Sequence, residues 1–361
     1  QMPTALLRMA ITAMSGCEKM KIFTCPTCNG PLYFDNLTCA CGTSVSFDPE
    51  AEVFEQLDVP CANREQIDCN WHAEAGPGTY CRACAMTEIV PDSLVTTNIP
   101  LWADTEAAKR WVLVNLGQWG WLKANDAGQR PRFHLLSEHT STGHAPVTMG
   151  HADGLITINV TEADPARRVE RRERLSERYR TLTGHFRHEL GHYVFFRLVQ
   201  DARFADAFRK LFGDERADYG AALSRHYEQG PPQDWQTRHI TGYASSHPHE
   251  DWAESFAHIV HLTDMLDSAN AARLKAPGVD VPDAYRAPDS ESVISAGASL
   301  GLALNHINRS MGLADIYPFV IAPKVRKKLK FVREAVAKGP IERTQPHRRK
   351  RNWNPFRSAS L

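Results

Sequence analysis

Two histidines and a glutamate in the run His188-Glu189-Leu190-Gly191-His192 are the residues best placed to do chemistry. On a helix, residues four positions apart share one face, so the imidazoles of His188 and His192 can bind one ion. Neutral imidazoles suit Zn²⁺, which in catalytic sites takes three protein ligands and keeps one position for water. Glu189 lies beside the first ligand, where its carboxylate can take a proton from that water. The run predicts a catalytic zinc site; the alternative is a helix with two incidental histidines.

The third zinc ligand must come from elsewhere in the chain. A metzincin extension would need Gly at position 195 and His at position 198, where this chain has Phe195 and Leu198, so that route is excluded. A helix predicted to begin at Pro248 offers Glu250 and Glu254 on one face. One carboxylate can bind the zinc while the other accepts the free N–H of a ligand histidine. The pattern favours Glu250 as ligand; the alternatives are a helix-capping role for Glu250 and a buried ion pair for Glu254.

Hydrolysis also requires a hydrogen-bond donor for the oxyanion of the tetrahedral intermediate. Tyr243, seven residues before Glu250, is the candidate, although a single tyrosine can equally be a core residue. The alternating segment 155–160 predicts a β-strand, and we expect it to form an edge along which an extended peptide adds by main-chain hydrogen bonds.

All nine cysteines fall between residues 17 and 84. In a chain without a convincing secretory signal, such clusters more often bind metal than form disulfides. The spacing predicts two four-thiolate zinc sites of the zinc-ribbon type, with Cys17 left over and His72 as an alternative to Cys69. The two sets are Cys25, Cys28, Cys39 and Cys41, and Cys61, Cys69, Cys81 and Cys84.

The formal net charge of zero conceals an asymmetry between the tail and the rest of the chain. From Lys324 to the end there are thirteen Lys and Arg against two acids, so this part carries about +11 and the remainder about −11. A basic tail indicates contact with nucleic acid or an acidic partner, or simply a solvated, disordered segment. No apolar run reaches the roughly 18–20 residues of a membrane span, so we expect no membrane contact. Because no convincing secretory signal is found, we expect a cytoplasmic protein.

The fold class predicted from these patterns is α+β. Residues 1–20 are expected to be a disordered leader, 21–92 a small β-rich double zinc ribbon, 93–337 a mostly helical zincin-like domain with a small β-sheet, and 338–361 a basic disordered tail. Apolar periodicity predicts helices at about 102–121, 162–180, 183–198, 248–267, 293–311 and 323–337.

Several long strings of the chain resemble a bacterial family of zinc-binding metallopeptidases that carry a zinc-ribbon segment in front. The strings include Cys81-Arg-Ala-Cys84, residues 151–159, 179–192, 243–254 and 308–319. The resemblance implies a metal and a reaction class, but no substrate. A shorter likeness, between the segment from Tyr243 to Glu254 and anthrax lethal factor, a gluzincin, implies that the first Glu binds zinc and that the Tyr stabilises the oxyanion.

These observations together predict a zinc metallopeptidase acting on a peptide or protein substrate. It would hold one catalytic and two structural Zn²⁺ ions, with Glu189 assisting the attack of zinc-bound water on the peptide carbonyl. The alternative is a nucleic-acid- or protein-binding module in which the ribbons and the tail act and the zincin domain is an inactive scaffold. The intact Glu189 argues against that alternative, because a scaffold has no need of a general base.

Overall fold

The computed structural model of the chain describes residues 22–164, 167, 181–317 and 320–340. The leader, Cys17, most of the predicted helix at 162–180 and the tail beyond residue 340 lie outside the described residues. The described part is α+β, with long helices and small sheets, which confirms the predicted fold class.

Helices make up a little less than half of the part that the structure describes. None of them is both long and apolar enough to cross a membrane. In chain order they are α1 (Arg64–Ile67), α2 (Arg82–Ala85), α3 (Asn98–Gly117), α4 (Leu182–Leu198), α5 (Ala202–Phe212), α6 (Tyr219–Gln229), α7 (Pro248–Ala271), α8 (Ser290–Ser310) and α9 (Pro323–Val336).

The strands form one four-stranded sheet and three two-stranded ribbons. The four-stranded sheet has the order β5-β6-β10-β9, in which β5, β6 and β10 are parallel and β9 pairs antiparallel with β10. The strands are β1 (Phe23–Thr24), β2 (Pro31–Leu32), β3 (Val45–Asp48), β4 (Val53–Gln56), β5 (Thr87–Ile89), β6 (Arg132–Leu136), β7 (His139–Thr140), β8 (Gly143–His144), β9 (Gly150–Ala152) and β10 (Leu155–Asn159).

The cysteine-rich part packs directly against the first long helix. The ring of Phe34 meets the edge of Trp111 on α3 with 4.7 Å between ring centroids. Buried residues of the cysteine-rich part and of the helical part belong to one continuous hydrophobic cluster. The two parts therefore share a core, and the predicted boundary near residue 92 stays a prediction.

Helix α4 carries the HExxH run, and α7 packs closely against it. The Thr181 hydroxyl caps α4 by accepting from the Gly184 N–H, and α7 begins with Pro248 at its first turn. A side chain at Gly191 would place its Cβ 3.0 Å from Phe256 Cδ1 and 3.2 Å from the Ala253 Cα, both on α7. Only glycine lets the two backbones approach this closely.

Two features of the fold differ from what the sequence pattern indicates. Helices α5 and α6 occupy a stretch for which no element was predicted, although Phe204, Phe208 and Phe212 of α5 have the spacing of one helical face. The strand at 155–160 is not an edge: β10 lies between β6 and β9, so the prediction that it adds a peptide strand is wrong. Alternation of apolar residues reveals the two faces of a strand but not its neighbours in the sheet.

The helix contact at Gly191 gives a direct stability prediction. Gly191→Ala should lower the free energy of unfolding by about 1–3 kcal/mol, because the added methyl group must displace Phe256 or separate the helices. Chemical denaturation monitored by circular dichroism measures the change. The matched control is Gly220→Ala, on exposed α6, where the nearest atom to the new Cβ is 3.6 Å away. Equal effects of the two substitutions would contradict the close-contact argument.

Candidate metal centre

Three side chains from α4 and α7 converge on one point. His188 and His192 lie one turn apart on α4, and Glu250 lies in the first turn of α7. The Nε2 atoms of the two histidines are 3.1 Å apart. A carboxylate oxygen of Glu250 lies 3.1 Å from His188 Nε2, and the other lies 3.4 Å from His192 Nε2. The structure thus brings together both histidines of the predicted site and the favoured glutamate.

The spacing of these donor atoms fits a zinc ion. With Zn–N and Zn–O bonds of about 2.0–2.1 Å, neighbouring ligand atoms of a tetrahedral site lie about 3.3 Å apart. The Glu250 Oε2 atom is buried and has no hydrogen-bond donor among the described residues. A buried carboxylate oxygen without a donor is costly unless it meets a cation. Two imidazole nitrogens and one carboxylate are also a donor set that zinc favours in catalytic sites.

The hydroxyl of Tyr219, on α6, fixes the Glu250 carboxylate from the side opposite Oε2. Its Oη donates to Glu250 Oε1 over 2.6 Å. Burial opposes ionisation of Glu250, but the imidazoles of His192 and His188 hold the pKa of this carboxyl well below its usual range. The carboxylate is therefore both oriented and charged, as a metal ligand must be.

Glu254 lies one turn further along α7 and contacts the other ring nitrogen of His188, Nδ1. Its Oε1 is 2.7 Å from His188 Nδ1, and its Oε2 accepts from the Thr241 hydroxyl over 2.7 Å. A hydrogen bond from Nδ1–H to a carboxylate aims Nε2 at the metal position and makes Nε2 the nitrogen that binds the metal once its proton is lost. In this geometry Glu250 lies with the ligand nitrogens, whereas Glu254 orients His188.

Glu189 is the carboxylate of the HExxH run, and it is buried within the site. Its Oε2 has no hydrogen-bond partner among the described residues. Burial raises the pKa of Glu189 above its ordinary value, while the neighbouring imidazoles of His188 and His192 oppose that rise. A carboxylate with a raised pKa and an unused oxygen is suited to accept and return a proton.

Tyr243 lies at the edge of the site, in a short 3-10 turn at Tyr243–Ser245 just before α7. Its ring centroid is 6.1 Å from that of His188 and 5.8 Å from that of His226 on α6. Burial, and after it the charge of Glu250, raise the pKa of the Tyr243 phenol well above its ordinary value. The phenol therefore keeps its proton at neutral pH and can act as a hydrogen-bond donor.

Two further histidine rings, those of His151 and His249, lie close to His192. The ring of His151, on β9, stacks on His192 with a centroid distance of 6.3 Å and an interplanar angle of 16°. Burial, together with the nearby His192 and His249, lowers the pKa of His151 to about 3. Burial likewise lowers the pKa of His249 to about 3. These rings are neutral at physiological pH and add no positive charge beside the metal position.

The eight described cysteines form two clusters that correspond to the two predicted sets. Neighbouring Sγ atoms in the clusters, such as those of Cys28 and Cys39 or of Cys69 and Cys81, lie 3.6–3.8 Å apart, against about 3.8 Å for the edge of a zinc tetrathiolate. The second cluster contains Cys69, whereas His72 lies near Asp48 and Glu55 instead. Each cluster can therefore hold one metal ion through four sulfurs.

A buried polar network fastens the start of the HExxH run to α3 and α7. Arg187, the residue before His188, donates to Asp264 over 2.5 Å and to Asn115 Oδ1 over 3.0 Å. The Trp111 indole N–H donates to the same carboxylate oxygen that accepts from Arg187, Asp264 Oδ2, over 3.0 Å. Trp111 also packs against Phe34, which lies between Cys28 and Cys39 of the first cysteine cluster. The first cluster and the metal centre therefore contact the same buried side chain.

Sequence reasoning missed Tyr219 and Thr241. Tyr219 comes from a helix that the apolar pattern did not indicate, and its residue type carries no metal-ligand signal by itself. Thr241 lies only two residues before Tyr243, but a threonine in a loop has no spacing rule that links it to a glutamate on the next helix. Both were accessible only from the three-dimensional arrangement.

The different positions of the two glutamates predict different losses of zinc. Glu250→Ala should reduce zinc at this centre to below detection, because it removes a ligand atom. Glu254→Ala should retain zinc but weaken its binding by about 10–100-fold, because it removes the hydrogen bond that orients His188 but no ligand atom. Zinc analysis after dialysis against a graded chelator series measures both. Loss of zinc in the Glu254 variant alone would reverse the assignment.

Zinc binding at this centre should depend on pH through His188. Although burial favours its neutral form, Glu250 and Glu254 hold the pKa of His188 well above its ordinary value in the metal-free protein. His188 is then protonated at neutral pH, and zinc must displace that proton. Zinc affinity should rise by up to about tenfold per pH unit through neutral pH, until the pH exceeds the raised pKa.

Competition with a chromophoric chelator across neutral pH measures this dependence. Glu254→Gln is the control, because it removes one of the two carboxylates that stabilise protonated His188 and should flatten the pH profile. An affinity that does not change with pH would show that no proton is displaced.

Comparison with known proteins places this chain in a family. Residues 98–335 match a family described as "Putative zinc-binding metallo-peptidase". Relatives from Mycobacterium bovis and from two strains of Mycobacterium tuberculosis, each named an uncharacterized protein, are 37% identical over 328 residues. These alignments cover 88% of this chain and 95% of each relative. No solved structure matches the chain significantly. The chain belongs to the zinc-binding metallo-peptidase family that this description denotes.

Proposed function

We propose that the protein is a zinc-dependent metallopeptidase of the gluzincin type, with a zincin-like fold behind its two zinc ribbons. The observation that carries the proposal is the convergence of His188, His192 and Glu250 around one point. Beside it lies the buried Glu189 carboxylate, whose Oε2 has no hydrogen-bond partner among the described residues. Family membership supports a zinc-binding protein and the reaction class. The relatives have no described activity from which a substrate could be taken.

The proposed chemistry combines a metal with three groups of the chain. A bound Zn²⁺ would lower the pKa of a coordinated water to about 7 and polarise the substrate carbonyl. Glu189 takes the proton of the attacking water and passes it to the leaving amine. The Tyr243 hydroxyl donates to the oxygen that becomes negative in the transition state. Glu254 and Tyr219 keep His188 and Glu250 in the orientation that the metal requires.

The edge strand β9 is the proposed place for an extended peptide. Among the described strands it pairs only with β10, and its residue His151 stacks on the predicted ligand His192. Main-chain groups on the open side of β9 can hydrogen-bond a peptide beside the metal position. This role replaces the one first expected for the segment 155–160.

The rival function is a binding module that acts through the zinc ribbons and the basic tail. The ordering of the HExxH site speaks against it. A scaffold without catalysis would have no reason to keep Glu189 buried with an oxygen lacking a partner, because such a group destabilises the fold.

The substitution Glu189→Gln tests the peptidase proposal. It should leave zinc content unchanged, because Glu189 lies outside the three converging ligand groups, and it should reduce peptide cleavage by about 10²–10⁴-fold through loss of the general base. Cleavage of a proteome-derived peptide library is compared for wild type and variant by mass spectrometry of new termini.

The binding-module function predicts the opposite result in the same cleavage assay. Identical cleavage profiles for wild type and the Glu189 variant, combined with retained zinc, would favour the binding module. In that case, removal of residues 341–361 should weaken binding to nucleic acid or to an acidic partner. The control for nonspecific damage is His306→Gln, at an exposed position of α8 away from the site.

A further inference from the structure

The two cysteine clusters differ in how far they are shielded from water. Every cysteine of the second cluster is at most 3% exposed, whereas Cys28 and Cys41 of the first cluster are exposed. Four thiolates around a divalent ion carry a net charge of −2. Water can screen that charge at the first cluster, but the second cluster must find its compensation within the protein.

Two buried arginines lie where such compensation is needed. Arg64, on α1, and Arg110, on α3, are 8% and 2% exposed. Arg64 Nη1 and Arg110 Nε and Nη1 are buried without a hydrogen-bond partner among the described residues. Helices α1 and α2, which flank the second cluster, both pack on α3. A buried guanidinium with unpaired N–H groups is strongly unfavourable unless an anion lies close by.

The charges that interact with Arg110 belong mainly to the cluster. Arg110 interacts attractively with Cys69, then Glu106, Cys84 and Cys81. Arg64 interacts first with Glu65 on its own helix and then with Cys69 and Asp68. Glu106 already bonds the Lys109 ammonium over 2.8 Å, so this pair adds no net charge. The other acids near the two arginines, Asp35, Glu65 and Asp68, are exposed to solvent, so the two buried guanidiniums balance the −2 charge of a tetrathiolate.

We propose that Arg64 and Arg110 are the counter-charges of a buried metal tetrathiolate formed by Cys61, Cys69, Cys81 and Cys84. The two arginines do not position a substrate. They slow the loss of metal from this cluster, which is therefore the more slowly exchanging of the two cysteine clusters. The first cluster, which relies on solvent instead, exchanges its metal readily. The proposal does not depend on the proposed peptidase activity, because its readouts concern the cysteine sites alone.

Cysteine alkylation in the presence of EDTA tests the proposal on the full-length zinc-loaded protein. Peptide mass spectrometry follows each cysteine over time. In wild type, Cys28 and Cys41 should be labelled first and the second cluster last. Arg110→Met should accelerate labelling of the second cluster by about tenfold or more, with no change at the first cluster. Arg110→Lys, which keeps the charge, should stay close to wild type.

A buried arginine far from the cysteines supplies the matched control. Arg333 is also 2% exposed, but it donates to the carbonyl oxygens of Ala284 and Ala287. Arg333→Met should therefore leave the labelling order of both clusters unchanged. If it accelerates the second cluster as much as Arg110→Met does, the effect is general destabilisation and the proposal is wrong.

A double-substitution cycle separates charge from packing. Cys69→His replaces one thiolate by a neutral imidazole and lowers the site charge to −1. Arg110→Met should then accelerate labelling of the other three cysteines much less than it does in the wild-type site. An equal effect in both backgrounds, or full protection of the second cluster in Arg110→Met, would overturn the proposal. If Arg110→Met does not fold, Arg64→Met is put through the same cycle with the same criteria.

Discussion

The close contact between α4 and α7 determines the geometry of the metal centre. Two of the converging groups are on α4 and the third is on α7, so their donor-atom distances of 3.1–3.4 Å depend on how the helices cross. Gly191 sets the distance of closest approach. The Trp252 indole N–H, donating 2.9 Å to the Gly191 carbonyl oxygen, ties α7 to α4 at that level. A buried hydrogen bond of this kind resists rotation of one helix against the other.

The same helices are held from outside the site by charge as well as by packing. Arg187 is fully buried between Asp264 and Asn115, and on α9 the Lys328 ammonium pairs with the buried Asp251 of α7. Breaking either pair would leave an uncompensated charge in the interior, which is strongly destabilising. Trp111 bonds Asp264 of the Arg187 network and also packs against Phe34 of the cysteine-rich part. The cysteine-rich part therefore contributes to the rigidity of the metal centre.

The sequence was most informative where a chemical role requires a fixed helical spacing. His188 and His192, and likewise Glu250 and Glu254, could be placed on common faces because a helix repeats every 3.6 residues. The grouping of the cysteines followed in the same way from ligand spacing. Tyr219 and the interior position of β10 could not be derived, since each depends on which elements become neighbours in the fold. The local sequence pattern shows which residues share one face of a helix or strand. Only the tertiary packing shows which helices and strands become neighbours.

The two glutamates show how one spacing can specify two roles. They are one turn apart on α7, and the imidazole of His188 lies between their carboxylates, with Nε2 towards Glu250 and Nδ1 towards Glu254. An imidazole carries its two nitrogens on opposite sides of the ring, so a pair of carboxylates one helical turn apart can address both. Glu254, the one further along the helix, must accept the N–H, because only then is the other nitrogen free to bind a metal. The Glu-x-x-x-Glu spacing therefore lets two carboxylates contact the two nitrogens of one histidine. The hydrogen bond from His188 to Glu254 then fixes the direction in which Nε2 faces the metal position.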